Sequence, residues 1–91
     1  MAELIRARSE EEPLYVAPAN GKTFTDKELQ TAVKGEIDYI YFTDEYDLVM
    51  IANLYSNALP YNLVASGIAG RNIYGDVLIC DDNEIAMKYL N

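Results

Sequence analysis

The fold is decided by residues 36–53, EIDYIYFTDEYDLVMIAN. The two ends of this stretch, 36–42 and 48–53, are rich in β-branched and aromatic residues, and such residues favour strands. The residues between them, 43–47, are mostly polar and are typical of a connecting loop. The simplest structure for the stretch is therefore an antiparallel hairpin.

A helix is predicted shortly before the hairpin. Thr25 is placed as its N-cap residue, and Glu28 three positions later completes a capping box. Phe24 and Leu29 have the spacing of a hydrophobic staple, which fixes the entry of the chain into a helix. Gly35 is expected just after the last turn, where a left-handed conformation favours glycine.

The remaining chain supplies a second helix, more strands and a last helix start. The second helix is predicted from the Asn62 cap through about Ala69, with Gly70 ending it. Strands are predicted at 3–8, 14–17 and 73–80, and a last helix at Asp81 and Glu84, with Ile85, Tyr89 and Leu90 on its buried side. The expected fold is α+β, a mainly antiparallel four- to five-stranded sheet with two or three short helices packed on it. Residues 1–91 are expected to form a single domain, in which 1–12 supply a variable N-terminal strand and an acidic turn.

Composition excludes several functions. The chain has 15 acidic and 7 basic side chains and a net charge of −8. Such a surface repels phosphate backbones and anionic lipid, so we expect no direct nucleic-acid binding and no membrane binding. Histidine is absent, which excludes imidazole-based catalytic triads and the Cys/His patterns of zinc sites. The start, Met1 to Arg6, lacks the pattern of a signal peptide, and cytoplasmic residence is expected.

The reactive side chains that remain have ordinary structural interpretations. Cys80 is the single cysteine, and the acidic residues that follow it oppose a thiolate, so we expect a buried and inert thiol. Acidic residues cluster at 44–47 and 81–84, where they fit caps and solvated turns. A hard-cation site is the alternative, but neither cluster has the spacing of an EF-hand. No metal and no cofactor are expected.

One polar stretch is a candidate binding site. It is residues 53–62, NLYSNALPYN, together with the Arg71-Asn72 pair. Tyrosine and arginine are enriched at binding surfaces because each combines contact area with a polar end. The alternative is a polar loop with two half-buried tyrosines. The candidate ligand-binding residues are Asn53, Tyr55, Asn57, Tyr61, Asn62, Arg71 and Asn72.

The order of features from Leu14 onward is similar to that of a known family. Its marks are the strand at 14–17, the helix ending at Gly35, the hairpin 36–53, LPYN at 59–62, IAG at 68–70 and IYGDVLICD at 73–81. The chain resembles a family of small proteins of unknown function carried by bacterial phages and mobile elements. The resemblance covers most of the chain but brings no assigned active site. It implies a genomic setting in which small accessory proteins often act against host defences.

The expected function is that of a non-enzymatic acidic binding protein of a phage or mobile element, acting in the host cytoplasm. In that role it sequesters a small anionic host signal of nucleotide type or blocks a host protein. The alternatives are a nucleic-acid mimic that inhibits a host DNA- or RNA-binding protein, and an enzyme that uses carboxylates and a metal. A homo-oligomer is also expected, because a small sheet leaves open edges that invite pairing.

Overall fold

The computed structural model describes residues 2–7, 12–42, 48–55 and 58–85. Its strands are β1 (Ala2–Ile5), β2 (Leu14–Val16), β3 (Ile37–Ile40), β4 (Leu48–Asn53) and β5 (Val77–Asp81). They form a five-stranded antiparallel sheet in the order β2-β1-β5-β4-β3. Two helices, α1 (Asp26–Val33) and α2 (Leu63–Ala69), pack on it, and the α+β prediction is confirmed.

The predicted hairpin is present as β3 and β4. Ile37 lies opposite Asn53 and Ile40 lies opposite Met50, while the connection 43–47 is outside the described residues. The segment that precedes Leu14 also belongs to this sheet. Its strand β1 lies between β2 and β5, so it is an inner strand rather than an appendage.

Each face of the sheet packs against one helix. Successive side chains of a strand point to opposite faces, so a single strand contributes residues to both contacts. On one face, Val49 and Ile51 of β4 lie in a cluster with Leu29 of α1. On the other face, Met50 lies in a cluster with Ala65 of α2. Neither helix of the described segments is long and apolar enough to cross a membrane.

Helix α1 begins as predicted but ends differently. Glu28 N–H donates to Thr25 Oγ1 at 3.2 Å and Glu28 Oε1 accepts from Thr25 N–H at 2.8 Å, so the capping box is confirmed. The prediction that Gly35 takes the left-handed position was wrong, because Lys34 occupies it with φ 63°. Gly35 follows, and its N–H donates to Gln30 O at 3.0 Å. A left-handed lysine carries strain of about 1–2 kcal/mol.

The glycine at position 35 is explained by close packing rather than by φ. A Cβ atom there would lie 2.7 Å from Asn53 Nδ2. Asn53 is buried at the end of β4, and its Nδ2 donates to the main chain of α1. Only glycine leaves room for this contact.

Strand β5 starts later than predicted because the residues before it form hydrogen bonds with the segment that leads into α2. Ile73 O accepts a hydrogen bond from Asn62 N–H at 2.8 Å, and Gly75 N–H donates to Pro60 O at 2.6 Å. Gly75 has a φ of 81°, which no regular strand contains. The sheet pairing therefore begins only at Val77.

The last predicted helix is a single 3-10 turn, Asp82–Glu84, within the described residues. Glu84 Oε1 accepts from Asp81 N–H at 2.9 Å, so the start signal is present. Ile85 is then extended and forms a bridge with Phe24, which takes the chain out of a helical path. Ile85 is buried as predicted, whereas Tyr89 and Leu90 lie outside the described residues.

Candidate functional site

A groove of about 310 Å³ runs along α2 and the turn that follows it. It gathers three of the predicted site residues, Tyr61, Arg71 and Asn72, all of them exposed. The other lining residues belong to α2 and its C-cap, and they are Leu63, Ser66, Gly67 and Gly70. The candidate site therefore forms around the end of a helix, not along the whole polar stretch.

Arg71 is placed by the way α2 ends. Gly70 adopts the left-handed conformation with φ 73° and its N–H donates to Ser66 O at 2.9 Å, so the predicted helix end is confirmed. Arg71 follows directly, with an exposed side chain. Among the described residues, no hydrogen bond or ion pair engages its guanidinium group. It can therefore meet a ligand without first breaking an internal bond.

Tyr61 forms a fixed wall of the groove. Its ring packs edge-on against Tyr74, with 5.5 Å between the ring centroids and 71° between the planes. The main chains of the two residues also form an antiparallel bridge. The ring still has 44% of its surface exposed. An aromatic surface held in this way loses little conformational freedom when it binds a partner.

The floor of the groove carries little side-chain bulk. A Cβ atom added at Gly67 or Gly70 would meet no atom within 4 Å, which shows open space above both residues. Ser66 lies below them, and its hydroxyl donates to Asn62 O at 2.7 Å and accepts from Ile73 N–H at 2.8 Å. That hydroxyl holds the loop together and is not poised as a nucleophile.

Asn62 lies inside the protein and not on the groove surface. Its side chain is fully buried, and its Oδ1 accepts from Ala65 N–H at 3.0 Å, as expected for a helix cap. Its Nδ2 donates to Ile5 O at 3.0 Å and to Gly75 O at 2.8 Å. Every polar atom of the amide is thus engaged, and the predicted contact between Asn62 and a ligand has no free group to make it.

The other predicted residues are also apart from the groove. Asn53 is buried, and its Nδ2 donates to Val33 O at 3.0 Å while its Oδ1 accepts from Tyr55 N–H at 2.8 Å. Tyr55 is exposed but does not line the groove. Asn57 lies outside the described residues. The amide of Asn53 joins α1 to β4, so its role is structural.

An apolar surface beside the groove was not predicted. Leu63, Val64 and Ile68 of α2 are 62%, 44% and 40% exposed. Leu63 also lines the groove, so the apolar surface and the groove are continuous. The helical spacing of these residues was visible in the sequence, but spacing alone does not tell whether such a face is covered.

Cys80 is buried on the α1 side of the sheet, as predicted. The thiol is 1% exposed, and burial raises its pKa to about 12, with the Glu84 and Asp81 carboxylates adding to the rise. It is therefore protonated at neutral pH and not reactive. Within the described ranges, no three acidic or cysteine side chains converge as metal ligands, and the 44–47 cluster lies outside them.

Comparison with known proteins gives no further assignment. No family model matches the sequence, and no curated protein or solved structure matches it either.

Proposed function

We propose that this chain is a non-enzymatic binding protein that holds a small anionic ligand of nucleotide type in the groove beside α2. The observation that carries the proposal is the exposed Arg71 guanidinium, which faces an open groove next to the immobilised ring of Tyr61. The groove volume of about 310 Å³ is at the small end of the range for ligand sites, roughly 300–1,000 Å³.

Local attraction must outweigh the charge of the whole chain. At a net charge of −8, the protein repels a phosphorylated ligand at long range. A guanidinium fork that binds two phosphate oxygens gives a strong local contact, because both hydrogen bonds are charge-assisted. Asn72 can add an amide, and Tyr61 can stack on a base for about 1–3 kcal/mol.

The test begins with a thermal-shift screen of mononucleotides, dinucleotides and cyclic nucleotides, with and without divalent metals. Calorimetry on the best ligand then compares the wild type with Arg71→Ala. Loss of a charged hydrogen bond of about 1.5–3 kcal/mol should weaken binding by roughly 10- to 150-fold. Stability should change by less than about 0.5 kcal/mol, because Arg71 is exposed.

Lys27→Ala is the matched control, because it removes one exposed cation from α1 and leaves the groove intact. An equal loss of affinity in both variants would mean that only net charge matters. Unchanged affinity in Arg71→Ala would remove the groove from the proposal.

A second candidate is blockage of a host protein, which the apolar surface of Leu63, Val64 and Ile68 favours. Exposed apolar residues next to an arginine and a tyrosine are typical of the centre of a protein interface. Val64→Ser separates the two functions, because Val64 belongs to the apolar surface but does not line the groove. It should disrupt binding to a protein partner while leaving affinity for a small nucleotide at Arg71 within a few-fold.

The biological setting belongs to the same proposal. The resemblance to phage-borne and mobile-element proteins supports a role against host defence, with the host cytoplasm as the place of action. The acidic surface supports a ligand or host protein as the partner, rather than DNA or RNA.

A homo-oligomer is proposed from the sheet edges. Strand β2 lies at one edge, and its Leu14 and Tyr15 are 47% and 72% exposed. Exposed edges with apolar side chains favour pairing with a second copy. Light scattering should therefore give a mass of at least twice the 10.2 kDa of one chain. A mass of 10.2 kDa at every concentration tested would contradict this expectation.

A further inference from the structure

A second cleft of about 310 Å³ lies where β1, α1 and β5 come together, and it shares no lining residue with the groove beside α2. Arg6 follows β1, Lys34 follows α1, and Asp76 precedes β5. These three side chains give the cleft two cationic groups and one anionic group.

The cationic groups are held in place by hydrogen bonds and an ion pair. Asp76 Oδ1 accepts from Ala7 N–H at 2.8 Å, and its Oδ2 lies 3.5 Å from Lys34 Nζ. One Nη atom of Arg6 donates to Glu12 O at 2.7 Å. Asp76 therefore partly neutralises the Lys34 ammonium group and competes with an added anion for it, although the Lys34 side chain is 72% exposed.

The apolar side chains at the surface of the cleft are those of Leu59 and Pro60, whereas Val33, which also lines it, is 1% exposed and packs in the α1-side core. A site with apolar walls and a few polar groups suits a small molecule that has both kinds of surface. A free inorganic ion would leave those walls without a partner. The lining therefore favours an organic body with one oxyanion head.

Lys34 gives an additional reason to expect a function here. It occupies a left-handed position with φ 63°, where glycine or asparagine would remove the strain. The ion pair with Asp76 does not offset that strain, since the Lys34 side chain is 72% exposed and pairs that are open to solvent contribute about 0–1 kcal/mol. A strained residue that lines a cleft is typical of a functional position.

We propose that the cleft formed by Arg6, Lys34 and Asp76 binds a small organic anion with one carboxylate or phosphate head and a short apolar body. The oxyanion lies against the Lys34 ammonium and the Arg6 guanidinium. Its body contacts Leu59 and Pro60. This site is independent of the ligand proposed for the groove at Arg71.

The test is an NMR titration of amide resonances with phenyl phosphate, benzoate and inorganic phosphate. Phenyl phosphate and benzoate should give saturable shifts at Ala7, Gly75 and Asp76, with a Kd of about 1 mM or below, as is ordinary for ligands of this size. Inorganic phosphate should bind more weakly because it lacks the apolar body. Equal affinity for inorganic phosphate, or no saturable shift, overturns the proposal.

Two substitutions are expected to change the affinity for phenyl phosphate in opposite directions. Lys34→Asn removes the cation but suits the left-handed position, so affinity should fall about 10-fold while the melting temperature does not fall. Asp76→Asn keeps an acceptor for Ala7 N–H and removes a competing carboxylate, so affinity should rise about threefold. Unchanged affinity in both variants overturns the assignment.

Two further variants separate this site from its alternatives. Lys22→Gln makes the same change in net charge at an exposed turn before α1 and should leave affinity within about twofold. A loss equal to that of Lys34→Asn would show that only net charge acts, and would overturn the proposal. Arg71→Ala should leave the shifts at Ala7 and Gly75 unchanged, so failure here is distinguishable from failure of the groove. Loss of those shifts in Arg71→Ala would also overturn the proposal.

Discussion

Asn62→Ala is expected to lower the free energy of unfolding by about 3–7 kcal/mol. The substitution removes the cap of α2, which is worth about 1 kcal/mol. It also leaves Ile5 O and Gly75 O without their donor in the interior, and each unsatisfied buried group costs about 1–3 kcal/mol. Urea denaturation followed by circular dichroism measures the loss.

Asn72→Ala is the matched control for this prediction. It makes the same chemical change ten positions later, at an exposed side chain, and should alter stability by less than about 0.5 kcal/mol. If Asn62→Ala were as mild as Asn72→Ala, the three bonds assigned to the Asn62 amide would have no energetic weight. Its role as the link between β1, α2 and Gly75 would then be wrong.

Gly35→Ala is expected to destabilise the protein by about 2–4 kcal/mol. The new Cβ would lie 2.7 Å from Asn53 Nδ2, and that amide is buried and held by Val33 O and Lys34 O at 3.0 and 3.3 Å. Relief of the clash must weaken these bonds, so the usual overpacking cost of about 1–3 kcal/mol is increased. Denaturation midpoints of the purified variant give the value.

A double-mutant cycle with Asn53→Ala isolates the cause. In the Asn53→Ala background the clash is absent, so Gly35→Ala should cost almost nothing there. Gly67→Ala is the control, because its Cβ would enter open space on an exposed helix face and should stabilise α2 by about 0.5–1 kcal/mol. A full cost for Gly35→Ala without Asn53 would contradict the packing explanation.

The sequence predicts the local structure well because its signals are local. Thr25 and Glu28 satisfy main-chain groups within one turn, and Gly70 ends α2 through its own φ. The hairpin of β3 and β4 follows from two strand-forming segments a few residues apart. In each case the residues that make the interaction are close together in the chain, so a spacing pattern can reveal them.

The candidate site could be predicted only in part because burial depends on distant contacts. Asn62 and Arg71 are polar residues at the two ends of the predicted second helix, yet the Asn62 amide bonds to Ile5 and Gly75 while the Arg71 side chain meets solvent. The cleft at Lys34 forms only where β1, α1 and β5 meet, and no local sequence pattern predicts that these three elements lie together. Lys34 also takes a conformation for which glycine is the ordinary signal.

The inner position of β1 affects how the chain assembles during synthesis. Leu4 pairs with Leu78, so β1 reaches its second neighbour, β5, only after β2, β3 and β4 have been synthesised. Until then β1 can pair only with the short strand β2. The entropy lost by closing the long connection between β1 and β5 is offset only when these two strands pair. A high contact order of this kind slows folding. The sheet therefore closes only once β5 has been synthesised, after the β3–β4 hairpin has been available for many residues.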